Sequence, residues 1–221
     1  VTQDSVFIIA LVHSSYASDS VICAGQIVNF QALLHAEFEA LGSLEDTTHL
    51  PDGSGVNYET EILVDHFAPG ATYNGYGQQL EVCTNIEHTY LGDLEMTLTC
   101  PNGTVVPIFD GSGAPGDLIP GGGGGGGVYL GQGLDNTSPS LGIGWDYCFS
   151  HLSNQGTLLE ERIAGNTVPV FSPSEGQSMP AGTYSPLGSF DAFIGCPLNG
   201  TWTLTIRDNT AADNGNIMFW G

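Results

Sequence analysis

The segment that decides the fold lies at the end of the chain, where residues 195–221 read GCPLNGTWTLTIRDNTAADNGNIMFWG. In residues 201–208, TWTLTIRD, apolar residues alternate with threonines. Such a period of two predicts a β-strand with one buried face, carrying Trp202, Leu204 and Ile206. A turn rich in Asp and Asn follows, and NIMFWG then predicts a second strand. The segment therefore predicts strand, turn and strand.

The same alternation recurs upstream. It is found in NYETEILV (57–64), LEVCTNIEH (80–88), LEMTLTC (94–100) and TVVPIF (104–109). Asn-Gly pairs at 102–103, 199–200 and 214–215 predict turns in which the glycine has a positive φ. Many short strands joined by tight turns predict an all-β fold of the sandwich type.

Three segments interrupt this rhythm. Residues 31–45, QALLHAEFEALGSLE, have good helix formers and a possible C-capping Gly42, which predicts a short helix. Residues 110–133 contain seven consecutive glycines, 121–127, and predict a loop that is either mobile or packed closely against backbone. Residues 156–186 contain several prolines and predict a long connection.

The first 50 residues differ in character. Residues 6–12 and 20–30 read as two strands, which predicts an N-terminal β extension or part of an immunoglobulin-like neighbour. We therefore expect a division into residues 1–50 and a sandwich over residues 51–221. The chain begins at Val1 without a signal-peptide pattern, so we expect a processed or excised piece of a longer protein.

The charge is unusual. The chain has 24 Asp and Glu residues against two basic residues, Arg162 and Arg207, for a formal net charge of −22. Such a charge repels polyanions, so nucleic acid and anionic lipid are not expected as partners. No apolar run is long enough to predict membrane insertion. Two explanations of the acidity are open: a solubility coat in a salty medium, or loops that bind cations.

The five cysteines show no spacing typical of a zinc site. We expect disulfides formed in an oxidising compartment, and therefore an extracellular or cell-surface protein. Four cysteines give two bridges by any of three pairings, and one cysteine is left over, so the pairing stays open. The alternative that the cysteines are buried free thiols is also open. The cysteines are Cys23, Cys83, Cys100, Cys148 and Cys196.

Three segments together resemble one family. They are NIEHTYLGDLEMTLTCPNGT (85–104), GIGWDYCFS (142–150) and GCPLNGTWTLTIRDNTAADNG (195–215). Over roughly residues 51–221 the chain resembles the P domain (Homo B domain) that follows the subtilisin-like catalytic domain of proprotein convertases, and it looks most like the bacterial branch. The resemblance implies a jelly-roll-like β-sandwich of about eight strands. It also implies a large exported surface protein, in which immunoglobulin-like or PKD-like modules are neighbours.

Catalysis is not expected. The segment that carries the serine nucleophile of a convertase does not occur, and residues 1–50 are too few for its catalytic domain. His88 lies near Glu87 and Asp93 and could be drawn as a general base. No Ser or Cys is evidently placed with it, so a structural hydrogen bond is favoured.

The acidic turns are candidate cation sites. Ca²⁺ binds about six to eight oxygens, which carboxylates, Asn side chains and loop carbonyls supply. Because loops converge at the ends of a sandwich, Asp93, Asp208, Asp213 and Asn214 are expected to meet. Further candidate ligands are Asp52, Asp135 and Asp146. The alternative is that Asp93 and Asp208 only cap backbone N–H groups, and no EF-hand spacing is present.

Together these observations predict a non-enzymatic, extracellular structural or adhesive module of a large bacterial surface or secreted protein, stabilised by Ca²⁺. Its expected partners are neighbouring modules of the same polypeptide or like subunits; a surface protein or a glycan is a further candidate ligand. Two alternatives are open. One is an accessory P domain of a subtilisin-like peptidase, and the other is a subunit of an extracellular fibre or appendage.

Overall fold

The computed structural model describes residues 47–50, 53, 56–75, 79–112, 123–135 and 140–221, and the backbone of two strands within residues 11–17 and 30–36. The chain forms two compact units, Val1–Ala40 and Leu41–Gly221.

Unit 1 contains strands β1 (Leu11–Ala17) and β2 (Phe30–Ala36). They pair antiparallel, with Leu11 opposite Ala36 and Ala17 opposite Phe30. The helix predicted over residues 31–45 is therefore wrong for residues 31–36, because pairing with β1 overrides the helical preference of these residues. The rest of that helix, and most of the strands predicted at 6–12 and 20–30, lie outside the described residues.

Among the described residues of unit 2, almost all regular elements are strands. Its strands are β3 (Thr48–His49), β4 (Tyr58–Val64), β5 (Glu81–His88), β6 (Leu94–Thr99), β7 (Val105–Asp110), β8 (Tyr129–Leu130), β9 (Trp145–Ser150), β10 (Val168–Val170), β11 (Gly176–Met179), β12 (Gly182–Tyr184), β13 (Gly200–Asp208) and β14 (Gly215–Trp220). One short helix, α1 (Leu158–Ile163), and two 3₁₀ helices, Leu91–Asp93 and Phe190–Phe193, connect them.

These strands form two sheets. The larger has the order β10-β11-β8-β5-β14-β3, with β9 paired to β5 and β12 paired to β9. The smaller has the order β4-β13-β6-β7. The apolar faces of both sheets are buried, as Ile86 and Leu204 illustrate with 0% exposure. The predicted all-β sandwich is confirmed, and the strands read from the alternation, including Trp202 on the core face, are found where expected.

Two local predictions need correction. The connection predicted over residues 156–186 contains α1 and the strands β10, β11 and β12. Among the Asn-Gly turns, Gly103 and Gly200 have φ values of 88° and 131°, whereas Gly215 does not have a positive φ. Gly215 instead lies against the carbonyl of Glu87, where a Cβ would sit 2.2 Å from the oxygen.

Two disulfides stabilise this unit. Cys83 of β5 is bonded to Cys148 of β9, directly opposite in the register. Cys100, just after β6, is bonded to Cys196. The prediction of two bridges is thus confirmed, and the structure selects one pairing of the three. Cys23 lies outside the described residues.

The end of the glycine run packs closely against backbone. Gly125 N–H donates to the carbonyl of Gly111 and Gly92 N–H donates to that of Gly126, each at 3.1 Å. Arg162 also donates from Nη1 to the carbonyl of Gly124 at 2.5 Å. Of the two alternatives for this loop, residues 123–127 therefore adopt the packed one.

Candidate functional site

The ends of four elements meet at one point of unit 2. We name the side chains His88, Asp93, Asp208 and Asp213 the acidic corner. His88 is the last residue of β5, Asp93 the last of a 3₁₀ helix and Asp208 the last of β13. Pairing of Asp208 with Leu94 and of Gly215 with His88 brings the segment 88–93 beside the turn 208–214, which contains Asp213 and lies more than a hundred residues further along the chain.

His88 and Asp208 form a fully buried pair. His88 Nε2 lies 3.0 Å from Asp208 Oδ2, and both side chains are 0% exposed. The backbone N–H of Tyr90 donates to His88 Nδ1 at 3.1 Å, so the ring carries its proton on Nε2 and donates it to Asp208. Asp208 Oδ1 accepts from the N–H of Thr210 at 3.1 Å. His88 therefore has the structural hydrogen bonds that the sequence favoured over catalysis. Asp208 caps a backbone N–H, as the alternative to metal binding predicted.

This bonding bears on catalysis. Both ring nitrogens of His88 are used, one by a backbone N–H and one by a carboxylate. Within the described residues, no serine or cysteine is hydrogen-bonded to the ring. The arrangement holds a turn in place and does not resemble a nucleophile activated by a base.

Asp93 is the exceptional member of the corner. Its side chain is buried, with the residue 6% exposed, and its Oδ2 has no hydrogen-bond partner. The pKa of Asp93 is raised to about 6, chiefly by burial and in smaller part by the nearby charges of Asp208 and Asp213, against the opposing effect of a hydrogen bond from Thr210. The corner therefore has more negative charge than its own hydrogen bonds satisfy, which is the condition that a cation relieves.

The donor set suits a hard cation. Carboxylate oxygens, with carbonyls of the surrounding turns, are the ligands of Ca²⁺. The three carboxylates of the corner are not tightly clustered. Among the described residues, the set of three His, Cys, Asp or Glu ligand atoms that lie within 4.8 Å of one another is Glu81, Cys83 and Cys148, which is not part of the corner. A cation here would therefore combine Asp93 with backbone carbonyls and water, and the other aspartates would act at somewhat longer range. The roles of these residues as ligands stay predictions.

The other predicted ligands are distributed as follows. Asn214 adjoins the corner, and its carbonyl accepts from the N–H and the hydroxyl of Thr89, each at 3.3 Å. Asp146 is exposed on β9, where it accepts from Asn85 Nδ2 at 2.6 Å. Asp135 is exposed beyond β8. Asp52 lies outside the described residues. The structure therefore brings together Asp93, Asp208 and Asp213 of the predicted set, with Asn214 beside them.

Glu87 was not among the predicted site residues. It is fully buried, accepts from Asn216 Nδ2 at 2.5 Å and from the N–H of Leu134 at 3.2 Å. Burial raises the pKa of Glu87 and these bonds oppose the rise. The alternation of LEVCTNIEH places Glu87 on the face opposite Ile86 and His88, which predicts exposure. No signal in the sequence indicates that residues after β8 cover it.

Comparison with known protein families gives a match to part of the chain. The family model described as "Proprotein convertase P-domain" matches residues 77–116. The matched segment contains β5, the 3₁₀ helix, β6 and β7, and therefore includes His88 and Asp93 of the acidic corner. The resemblance noted in the sequence is confirmed over these residues, and P domains of that family are accessory, non-catalytic domains. No curated protein and no solved structure gives a significant match. Among the described residues, no helix is long and apolar enough to cross a bilayer.

Proposed function

We propose that this chain is a non-enzymatic, extracellular structural or adhesive module of a large exported protein, and that Ca²⁺ bound at the acidic corner stabilises it. The first part rests on the P-domain match, the β-sandwich and the two disulfides. The observation that carries the second part is the buried Oδ2 of Asp93, which has no hydrogen-bond partner beside two further aspartates.

A cation at this corner would act as a tether. It would link two connections between the sheets. The segment 88–93 leads from β5 of the larger sheet to β6 of the smaller, and the turn 208–214 leads from β13 of the smaller sheet to β14 of the larger. It would also offset part of the repulsion that a net charge of −22 imposes on the compact state. Because the cation would bind the folded state alone, it would add stability by mass action.

The test is thermal unfolding of the full chain with EDTA and with millimolar Ca²⁺, together with calorimetric titration of the chelated protein. We expect Ca²⁺ to raise the melting temperature and to bind with measurable heat. Asp93→Asn should lose both effects. The matched control is Asp135→Asn, which removes one exposed carboxylate away from the predicted convergence. A melting temperature that does not respond to Ca²⁺ in the unsubstituted chain would refute the tether and leave the scaffold.

The second candidate is an accessory P domain of a subtilisin-like peptidase, favoured by the family match at residues 77–116. Sequencing the coding region on both sides of this segment distinguishes the two. A catalytic domain bearing a Ser/His/Asp triad immediately upstream supports the accessory role, and tandem β-modules support a structural or adhesive one.

Neighbouring modules or like subunits are the partners we propose. Within the described part of unit 1, β1 and β2 form a two-stranded sheet, and such a sheet alone is marginally stable in water. A strand from a neighbour would extend it by edge pairing. Light scattering over a range of concentrations tests this: growth in mass supports a fibre or appendage subunit, and a constant monomer mass supports a module held by its own polypeptide.

A further inference from the structure

We propose that Glu81, Cys83 and Cys148 form a binding site for Zn²⁺ when the disulfide between the two cysteines is reduced. This inference is independent of the proposed function and of the acidic corner. It concerns a different part of the larger sheet, where β5 and β9 lie side by side.

The positions of the three side chains support it. Their ligand atoms lie within 4.8 Å of one another, and Glu81 Oε1 is 3.9 Å from Cys83 Sγ. Four ligands placed tetrahedrally at Zn–S distances of about 2.3 Å and Zn–O distances of about 2.1 Å are roughly 3.5 to 3.8 Å apart. Glu81 Oε1 and Cys83 Sγ are therefore near the required spacing, whereas the two sulfurs are bonded to each other and must separate after reduction. Two thiolates with one carboxylate are a donor set that suits Zn²⁺.

The backbone holds the two cysteines in place without the disulfide. Cys83 and Cys148 are opposite each other in a continuous antiparallel register that extends from Glu81 and Ser150 to Ile86 and Trp145. After the S–S bond is broken, rotation of the two side chains lets the sulfurs separate while the strands stay paired. A metal ion would then link the same two positions, 65 residues apart in sequence, that the disulfide links in the oxidised protein.

The site is accessible, and the second disulfide is not. Glu81 is exposed and Cys83 and Cys148 are half-buried. Glu81 also lines an open polar cleft with Gln79, Ser150 and Asn154, which leaves room for water as a fourth ligand. Cys100 and Cys196 are 2% and 0% exposed. A reductant in solution therefore reaches Cys83–Cys148 first.

The redox step is an ordinary thiol–disulfide exchange with a dithiol reductant. A thiolate of the reductant attacks one sulfur, its second thiol resolves the mixed disulfide, and two electrons pass to the cysteines. The products are the two free thiols of Cys83 and Cys148 and the cyclic disulfide of the reductant. Binding of Zn²⁺ then displaces the two thiol protons, because the thiolate is the ligand.

The experiment uses the full chain with Cys23→Ser, which removes the fifth cysteine. Limited dithiol treatment followed by removal of the reductant gives the reduced protein, and alkylation with peptide mapping checks that Cys83 and Cys148 are free and Cys100–Cys196 is intact. Co²⁺ is added as a spectroscopic probe and then displaced by Zn²⁺. We expect one Co²⁺ per chain, with thiolate-to-cobalt charge-transfer absorption, and no such absorption from the oxidised protein.

Two variants identify the ligands. Glu81→Gln keeps both thiols and the fold and should weaken Zn²⁺ binding at least about tenfold, as loss of supporting ligand interactions does. The matched control is Glu175→Gln, which removes a carboxylate of the same type away from the cysteines and should leave the affinity unchanged.

Three outcomes would overturn the proposal. The first is absence of thiolate-to-cobalt absorption in reduced protein whose Cys83 and Cys148 are verified as free. The second is an unchanged affinity in Glu81→Gln. The third is loss of the β-sheet circular dichroism on reduction that Zn²⁺ does not prevent, because it would show that the strands do not hold the two sulfurs together.

Discussion

Asp93 is a carboxylate in an environment that disfavours its charge. Its pKa is raised from 3.8 to about 6, chiefly by burial. Between these values the folded protein holds a proton that the unfolded chain has released, so the free energy of unfolding falls as the pH rises through this window. At about 1.4 kcal/mol per pKa unit, the ionised Asp93 costs the chelated protein on the order of 3 kcal/mol above pH 6.

We therefore predict that, in EDTA, the free energy of unfolding of Asp93→Asn relative to that of the unsubstituted chain increases by about 3 kcal/mol as the pH is raised from about 4 to about 8. Denaturant unfolding at a series of pH values measures this difference, which cancels the titration of the other groups. With Ca²⁺ present the advantage should disappear, since a bound cation compensates the carboxylate. A difference between the two proteins that is independent of pH would contradict the assigned burial of the charge.

The second prediction at this scale concerns the buried pair. In Asp208→Asn a single carbonyl oxygen remains to accept from both His88 and Thr210, and the hydrogen bonds to a charged group are lost. We expect a loss of about 1.5 to 3 kcal/mol of unfolding free energy, by urea titration in EDTA. Asp135→Asn, at an exposed position, should stay within about 0.5 kcal/mol of the unsubstituted protein. A neutral effect of Asp208→Asn would mean that the pair does not form.

At the level of residues, the sequence predicted the corner better than its surroundings. Asp93, Asp208 and Asp213 stand at strand ends and turns, and the loops of a sandwich converge at its ends. Glu87 and Glu95 could not be predicted as buried, because their position in the alternation indicates a solvent face. Glu95 accepts from Asn209 Nδ2 at 2.8 Å, a contact across 114 residues that no local pattern contains.

At the scale of elements, the close packing of the glycine run against backbone can be tested by substitution. A Cβ at Gly125 would lie 2.7 Å from the backbone nitrogen of Gly92 and 2.8 Å from its Cα. Backbone cannot give way as a flexible side chain does, so Gly125→Ala should cost about 1 to 3 kcal/mol of unfolding free energy. Gly182→Ala is the matched control, since its Cβ would meet just the side-chain atoms of Gln155 and Tyr184, at 3.5 Å or more. Equal stability of the two variants would mean that this loop is mobile in solution.

The prediction of elements succeeded for the longer strands and failed for the helices and for the short strands β10, β11 and β12. The strand patterns identified β4, β5, β6, β7, β13 and β14, because each contributes apolar side chains to the core. The helix predicted over residues 31–45 rested on local helix propensity, which strand pairing overrides in β2. Helix α1 was missed although its capping box was readable: Thr157 Oγ1 accepts from the N–H of Glu160 at 3.2 Å, and Glu160 Oε2 accepts from the N–H of Thr157 at 2.8 Å.

For the molecule as a whole, the class of fold was predictable and the strand order was not. Short alternating strands with turn residues between them require two packed sheets. Which strand lies beside which depends on contacts between distant segments, as when β13 lies between β4 and β6. The disulfide pairing has the same origin, since Cys83 meets Cys148 through the register of β5 and β9.

The final prediction separates general screening from specific binding. A net charge of −22 repels itself throughout the molecule, and raising monovalent salt from about 0.1 M to about 1 M shortens the Debye length from about 10 Å to about 3 Å. In EDTA, NaCl should therefore raise the melting temperature of the unsubstituted chain and of Asp93→Asn alike, because the substitution removes one of 24 acidic residues.

Millimolar Ca²⁺ contributes little ionic strength, so an effect through screening alone would be matched by NaCl of equal ionic strength. We expect instead that Ca²⁺ stabilises the unsubstituted chain well beyond that NaCl control and that Asp93→Asn responds equally to both salts. Differential scanning calorimetry of the unsubstituted chain and of Asp93→Asn, each in Ca²⁺ and in NaCl of equal ionic strength, distinguishes specific binding from screening. If Asp93→Asn retains the full response to Ca²⁺, the cation acts elsewhere on the acidic surface, and the burial of Asp93 is then a cost that the sandwich bears without a ligand.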